Sequence, residues 1–136
     1  MLSKPLPDFP QITLHRTSDG YEIRDHEKNM KMSLSFDDYS KVLLDKKKHQ
    51  LKNIFKTKNL NILDCTGGFA RDAAILASLG NEVTLIERNP LIMSLLVDAR
   101  KKIKSDDIRS IFSKIKLRFG NCVDFLRNMN MHFDYI

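Results

Sequence analysis

Apolar and polar residues alternate with period two in two short stretches near the start of the chain. Ile12 and Leu14 alternate with Thr13 and His15, and Tyr21 and Ile23 with Glu22 and Arg24. Ser18-Asp19-Gly20 lies between them, a turn sequence whose glycine tolerates positive φ, so the spacing predicts a hairpin over residues 11–24. Residues 25–36 are poorly patterned and are expected to be irregular. From Asp37 the period lengthens: Tyr39, Leu43, Leu44, Leu51, Ile54 and Phe55 recur at helical spacing, with Asp37 or Asp38 as cap and Asn59 and Asn61 at the exit. The lysines at 46–48, 52 and 56 fall largely off that stripe. The helix is therefore expected to bury one side and show its basic side to water or a ligand.

From residue 61 the pattern changes again. Asn61-Ile62-Leu63-Asp64-Cys65 reads as a buried strand ending in a carboxylate, and Thr66-Gly67-Gly68 as a tight turn. Phe69 to Leu79 is a helix stopped by Gly80. Glu82 to Glu87 is a second strand, and Asn89-Pro90 a cap with proline at the first helical position. That helix runs to about Lys104, its Met and Leu stripe over 91–97 serving the core, and a short helix is expected around Asp106–Phe112. Ile115 to Phe119 alternates as a third strand, Val123 to Met129 forms a helix, and Phe133 to Ile136 starts a fourth strand. Phe119 and Phe133 are expected in strand interiors. The order β-α-β-α-β-α-β argues for a parallel sheet.

Length and composition fit that reading. The 136 residues suffice for one domain, with 42% hydrophobic and 29% charged residues. The N-terminus lacks a signal-peptide pattern and nothing approaches a membrane span, so a cytoplasmic protein with reduced thiols is expected. Cys65 and Cys122 are expected to be small buried residues; the four histidines show no metal-ligand spacing. The net charge of +6 is unevenly spread: residues 41–58 hold seven lysines against one aspartate, and residues 100–118 eight basic against two acidic residues. The clusters near Lys46–Lys48 and Arg100–Lys104 suit contact with phosphates, or are simply solvated helix faces.

In doubly wound sheets ligands bind beyond the carboxyl ends of the strands. Three features lie at that edge: Asp64-Cys65-Thr66-Gly67-Gly68, Glu87-Arg88-Asn89 and Gly120-Asn121-Cys122. Gly67 and Gly68 let backbone approach a ligand, and the following helix offers free N–H groups. Glu87 lies about twenty residues past the turn, where a carboxylate accepts hydrogen bonds from both ribose hydroxyls, and Asn121 could meet an adenine edge. The glycines do not make a dinucleotide fingerprint, which disfavours a nicotinamide-dependent oxidoreductase, and no P-loop lysine follows. Asp64 repels a pyrophosphate but suits a ligand with an amino group and a sulfonium, namely S-adenosylmethionine.

The run Ile62 to Ala73, with Arg71-Asp72-Ala73 after the turn and Leu76-Ala77-Ser78-Leu79-Gly80 beyond it, resembles the cofactor motif of the ribosomal RNA small subunit methyltransferase J family. So does Leu85-Ile86-Glu87-Arg88-Asn89-Pro90 with Leu95-Leu96-Val97-Asp98. The similarity spans about residues 60–136. It implies a Rossmann-like class I methyltransferase fold, S-adenosylmethionine as cofactor, and methylation of a guanine N2 in small-subunit (16S) rRNA. It matches Arg71, Asp72, Glu87, Arg88, Asn121 and Cys122 to cofactor-contacting positions, beside Asp64, Gly67 and Gly68. Asn121-Cys122 departs from the family's small hydroxyl residues, and Ala70 replaces a glycine, harmless only if its backbone is not left-handed.

On this reading residues 1–36 are an extension carrying the hairpin. Residues 37–136 are a helix plus the first half of a Rossmann-like domain, an incomplete parallel sheet ending before the family's Asp-Pro motif. No catalytic residue is then named, and the chain is expected to be inactive alone and to associate through its exposed edge. The competing reading is a non-catalytic nucleic-acid-binding remnant.

Overall fold

The computed structural model describes residues 10–45, 50–56 and 58–136. Two three-stranded sheets organise them: an antiparallel meander, β1 (Ile12–Thr17), β2 (Gly20–Asp25) and β3 (Met30–Met32), and a parallel sheet in the order β4 (Asn61–Asp64), β5 (Glu82–Glu87), β6 (Ile115–Phe119). The hairpin pairs from Ile12↔Asp25 to Thr17↔Gly20, as the alternation predicts. The third strand corrects the expectation of irregular chain. Asp25 Oδ1 accepts the N–H groups of Glu27 and Lys28 at 3.1 and 3.0 Å, and Asn29 turns left-handed at φ 50°, so a side-chain turn rather than any apolar pattern reverses the chain.

The predicted long helix is instead a 3-10 turn over Phe36–Tyr39 and two short helices, α1 (Ser40–Leu44) and α2 (Gln50–Ile54); Lys46–Lys48 lie outside the described residues. Lys52 does not show its charge to solvent as expected. Its Nζ donates to the carbonyls of Val42, Leu43 and Asp45 at 2.9, 3.2 and 2.5 Å, closing the end of α1. Nor does Asp37 cap its own helix. Its carboxylate accepts the N–H groups of Lys104 and Ser105 at 3.0 and 3.1 Å, stapling this segment to the loop after α4 (Pro90–Lys101). Phe36 stacks on Phe112 of α5 (Asp106–Ser113), ring centroids 3.9 Å apart, and both are buried.

Helices cover both faces of the parallel sheet. On one, Ile62, Val83 and Leu85 meet α3 (Arg71–Ser78), α4 and α5. Five consecutive residues of α3, Ala73 to Ala77, are buried, three of them alanines that let the helix sit close to the strands. Leu91, Leu95 and Leu96 of the expected core stripe are buried, whereas Val97 is exposed. On the other face Leu63, Ile86 and Phe133 pack with Phe125, Leu126 and Met129 of α6 (Cys122–Asn128) and its flank. Phe133 is buried as expected. Phe119 is not: it is 63% exposed at the edge strand, where no described element covers it.

The expected fourth strand is a single parallel bridge, Ile62↔Tyr135, in which Leu63 N–H donates to Tyr135 O at 3.0 Å. The segment after α6 thus returns to the opposite side of β4 from β5, so the sheet order reverses direction at β4. Asn81, fully buried, joins the layers: its Oδ1 accepts from Leu60 N–H and its Nδ2 donates to Leu76 O, both at 3.1 Å. The meander docks on α4. The Tyr21 N–H donates to Asp98 Oδ2 at 3.0 Å, and Lys102 bridges Asp98 and the Asp19 carbonyl. Partial burial opposes the Asp98 charge, but the Lys102 ammonium and the Tyr21 N–H outweigh it and hold the carboxyl below its ordinary pKa.

The two N–H groups on Asp37 likewise hold its pKa below the ordinary 3.8. A depressed folded-state pKa gives stability that is complete above the unfolded value and is lost as pH falls through the folded one. Thermal melts should therefore show Asp37→Asn less stable than wild type near neutral pH, the two converging in acid below the ordinary carboxylate range. A gap of constant size down to the lowest pH would contradict the staple.

Candidate functional site

The carboxyl edge of the parallel sheet carries three loops, and the residues expected at the site lie on them or on the strand ends and helix starts they join. The first follows β4. Asp64 Oδ1 accepts the Thr66 N–H at 2.9 Å and the Thr66 hydroxyl at 3.2 Å, turning the chain sharply, while Oδ2 takes no hydrogen bond among the described residues. Gly67 lies against β5: a Cβ there would fall 2.5 Å from Leu85 Cδ2 and 2.9 Å from the Ile86 carbonyl oxygen. Gly68 has φ +46°, and a Cβ there would meet only the Thr66 carbonyl oxygen, at an ordinary contact distance of 3.6 Å.

Ala70 then takes φ 61°, ψ 21° at the N-cap of α3, fully buried, its N–H bonded to Gly67 O at 2.8 Å. The condition for a harmless replacement of glycine is therefore not met. Alanine holds a left-handed position that costs an L-residue about 1–2 kcal/mol, offset in part by the burial of its methyl.

The second loop centres on Glu87. Its Oε2 accepts the Gly68 N–H at 2.9 Å and its Oε1 the Asn89 N–H at 2.6 Å. Asn89 in turn caps α4, accepting from Leu91 and Ile92. Each carboxylate oxygen has a further lone pair, so Glu87 stays competent to accept a pair of vicinal hydroxyls. The third loop begins at Gly120, whose N–H donates to the Glu87 carbonyl at 3.0 Å. Asn121 is exposed and caps α6, its Oδ1 accepting the Val123 N–H at 2.8 Å.

The expectation of reduced, buried thiols is corrected: Cys65 and Cys122 are both half-buried and joined as a disulfide, Cα atoms 5.5 Å apart. Their 57-residue separation gives no local signal of pairing; the α6 crossover brings them together. The loops are thus linked pairwise: first to second through Gly68–Glu87, second to third through Glu87–Gly120, first to third through the disulfide.

Arg71 and Asp72, exposed, open α3 beside this edge, and Arg88 is exposed next to Glu87; none forms an ion pair among the described residues. Tyr39 was legible only as a member of the apolar stripe. Its hydroxyl donates to Phe69 O at 2.9 Å, fixing the residue before Ala70, and burial raises its pKa above 10.0. A cleft of about 250 Å³ opens beside Phe69 and Asn89, lined by Ile12, Ile23, Met32, Leu91 and Ile92. His15 and His26 both meet the Thr13 hydroxyl at 2.8 Å, and no metal-holding cluster occurs among the described residues.

A parallel sheet with helices on both faces, a glycine turn and a strand-end carboxylate at its carboxyl edge defines a Rossmann-like nucleotide-site fold. The family model described as "Putative SAM-dependent methyltransferase" matches residues 10–136, and the chain belongs to that family, whose cofactor is S-adenosylmethionine. A SAM-dependent methyltransferase from Neisseria gonorrhoeae has the same fold, with TM-score 0.72 and 22% identity over 93% of this chain and 53% of its own. Proteins named ribosomal RNA small subunit methyltransferase J are similar in sequence. The one from Ectopseudomonas mendocina is 47% identical over 68 residues, and that from Pseudomonas paraeruginosa 46% over 67, in each case 26% of the relative. The aligned segment therefore covers about half of this chain and a quarter of those relatives.

Gly67→Ala should cost about 1–3 kcal/mol, because the clashing Leu85 is fully buried and the Ile86 carbonyl belongs to the strand. Urea unfolding measures this; a change within about 0.5 kcal/mol would show that the turn is not packed as described.

Proposed function

We propose that the chain binds S-adenosylmethionine at the carboxyl edge of its parallel sheet and serves methyl transfer to small-subunit rRNA, with a guanine N2 as the acceptor. The observation that carries the reading is Glu87, held by two backbone N–H groups at a strand end with lone pairs still free. Glu87 would take the ribose hydroxyls. Asp64 Oδ2 and Asp72 offer negative charge to the ammonium, and the N–H groups opening α3 suit the carboxylate. Gly68 gives close approach, whereas Gly67, expected to do the same, is buried and packs the turn against β5 instead; Arg71, Arg88, Asn121 and Cys122 complete the wall.

When bound, the cofactor supplies a methyl group made electrophilic by its sulfonium. What remains for the chain is to orient that group and exclude water. A guanine amine is a weak nucleophile and must be out of the stack to react; none of the residues assigned here is a catalytic residue. The relatives' names support the rRNA substrate, and a cytoplasmic site of action follows from that substrate.

The basic cluster at 100–104 would contribute phosphate contacts through Lys101 and Lys104. Arg100 and Lys102 serve the fold instead, Arg100 donating to Ile115 O at 2.9 Å and Lys102 bonding Asp98 and Asp19. Among the described residues no helix is long and apolar enough to cross a membrane.

Titration calorimetry with S-adenosylhomocysteine tests the reading. Wild type should bind, and Glu87→Ala should lose at least tenfold in affinity while retaining salt-dependent RNA binding. Because Glu87 also holds two backbone amides, Glu87→Gln, which keeps one acceptor, is the control for loop integrity. RNA binding without any S-adenosylhomocysteine binding by wild type would favour the non-catalytic nucleic-acid-binding reading.

A further inference from the structure

We infer that Cys65 and Cys122 form a reversible thiol–disulfide switch that weakens cofactor binding when closed. The inference rests on the methyltransferase reading of this edge and goes beyond it.

Three observations point to it. First, the Cα separation of 5.5 Å lies within the 4.4–6.8 Å that a disulfide spans, so the fold holds the two backbones close enough to be joined. Second, both cysteines occupy site loops rather than the sheet interior. Cys65 separates Asp64 from the Thr66-Gly67-Gly68 turn, and Cys122 adjoins Asn121 as the first residue of α6. Both are half-buried, within reach of a small reagent. Third, both cysteines pack against the cluster of Leu63, Ile86 and Phe133 under α6. In the closed form the Cys122 side chain is committed to that cluster, and the turn bearing Gly68 is tethered to α6. In the open form the thiol is free to turn toward a ligand and the first loop can adjust to it. Structural disulfides are rare in the reducing compartment where ribosomal RNA is modified; disulfides found there are typically transient or redox-sensing.

The co-reactant is a low-molecular-weight disulfide of the glutathione type. One cysteine thiolate attacks a sulfur of that disulfide, forming a mixed disulfide and expelling one small thiolate. The second cysteine thiolate then attacks the protein-side sulfur, forming the Cys65–Cys122 bond and releasing the second small thiol. Two protein thiols are oxidised and one small disulfide is reduced to two thiols.

The test equilibrates the full chain in glutathione buffers from fully reduced to fully oxidised. Free thiols are trapped, the Cys65–Cys122 cross-link is mapped by peptide mass, and S-adenosylhomocysteine affinity is measured in each buffer. The expected result is a cross-link that appears with oxidation together with an affinity loss of about tenfold, reversed by dithiothreitol. Cys65→Ser should bind like reduced wild type in every buffer. The switch is overturned if the cross-link forms and affinity does not change, or if no cross-link forms in excess oxidised glutathione while the ligand still binds. No binding in any buffer, by wild type or variant, would instead remove the methyltransferase reading, and the switch with it; the peptide map reports separately whether the pair closes.

Discussion

The carboxylate of Glu87 is the junction on which the candidate site depends. One oxygen holds the N–H of Gly68 and the other that of Asn89, so the turn after β4 and the start of α4 are referenced to a single side chain. Its own carbonyl takes the Gly120 N–H, bringing the third loop to the same residue. A hydrogen bond to a charged acceptor contributes about 1.5–3 kcal/mol, enough to fix a loop but not a fold. The fold is set elsewhere, by Ile62, Val83 and Leu85 under α3 and by Leu63, Ile86 and Phe133 under α6. The sheet determines where the strand ends lie, and Glu87 determines how the loops beyond them are arranged.

That division explains what could be read from the sequence. Strand β5 is found over the expected residues, and the helices that follow β4 and β5 begin and end within a few residues of expectation, because fully buried strands and amphipathic helices write their burial into the order of apolar positions. Asn89-Pro90 was legible as a cap because its chemistry is local. Whatever depends on contacts distant along the chain left no trace. Asp37 sits where a helix cap would sit, yet its two amide partners are 67 and 68 residues away. The cysteine pair is separated by 57 residues. Lys52 looks like one more surface lysine until the return of the chain sets it against the carbonyls that close α1.

Ala70 shows the same limit in another form. A left-handed backbone is invisible in an alanine, whose usual conformation is helical, and the sequence offers only the absence of a glycine. The constraint falls on the peptide group that precedes the residue. Gly67 O captures its N–H, and the Tyr39 hydroxyl holds the preceding carbonyl. The first turn of α3, with Arg71 and Asp72, is thus aimed by an N-terminal segment that lies outside the parallel sheet. The same segment carries Asp37 and Phe36, so one stretch of about four residues ties α5, the loop after α4 and the entrance to α3 together.

The N-terminal meander belongs to this arrangement rather than beside it. It docks through Tyr21 and Asp19 on the Asp98–Lys102 pair of α4, and with Phe69, Asn89 and Leu91 it walls the cleft at the carboxyl edge. Helix α4 is thereby held at its first turn by Asn89 and near its last by the meander. The meander makes none of these contacts to the backbone between Asp64 and Gly68 or to the start of α6. Those are the two segments that the cysteine bond joins.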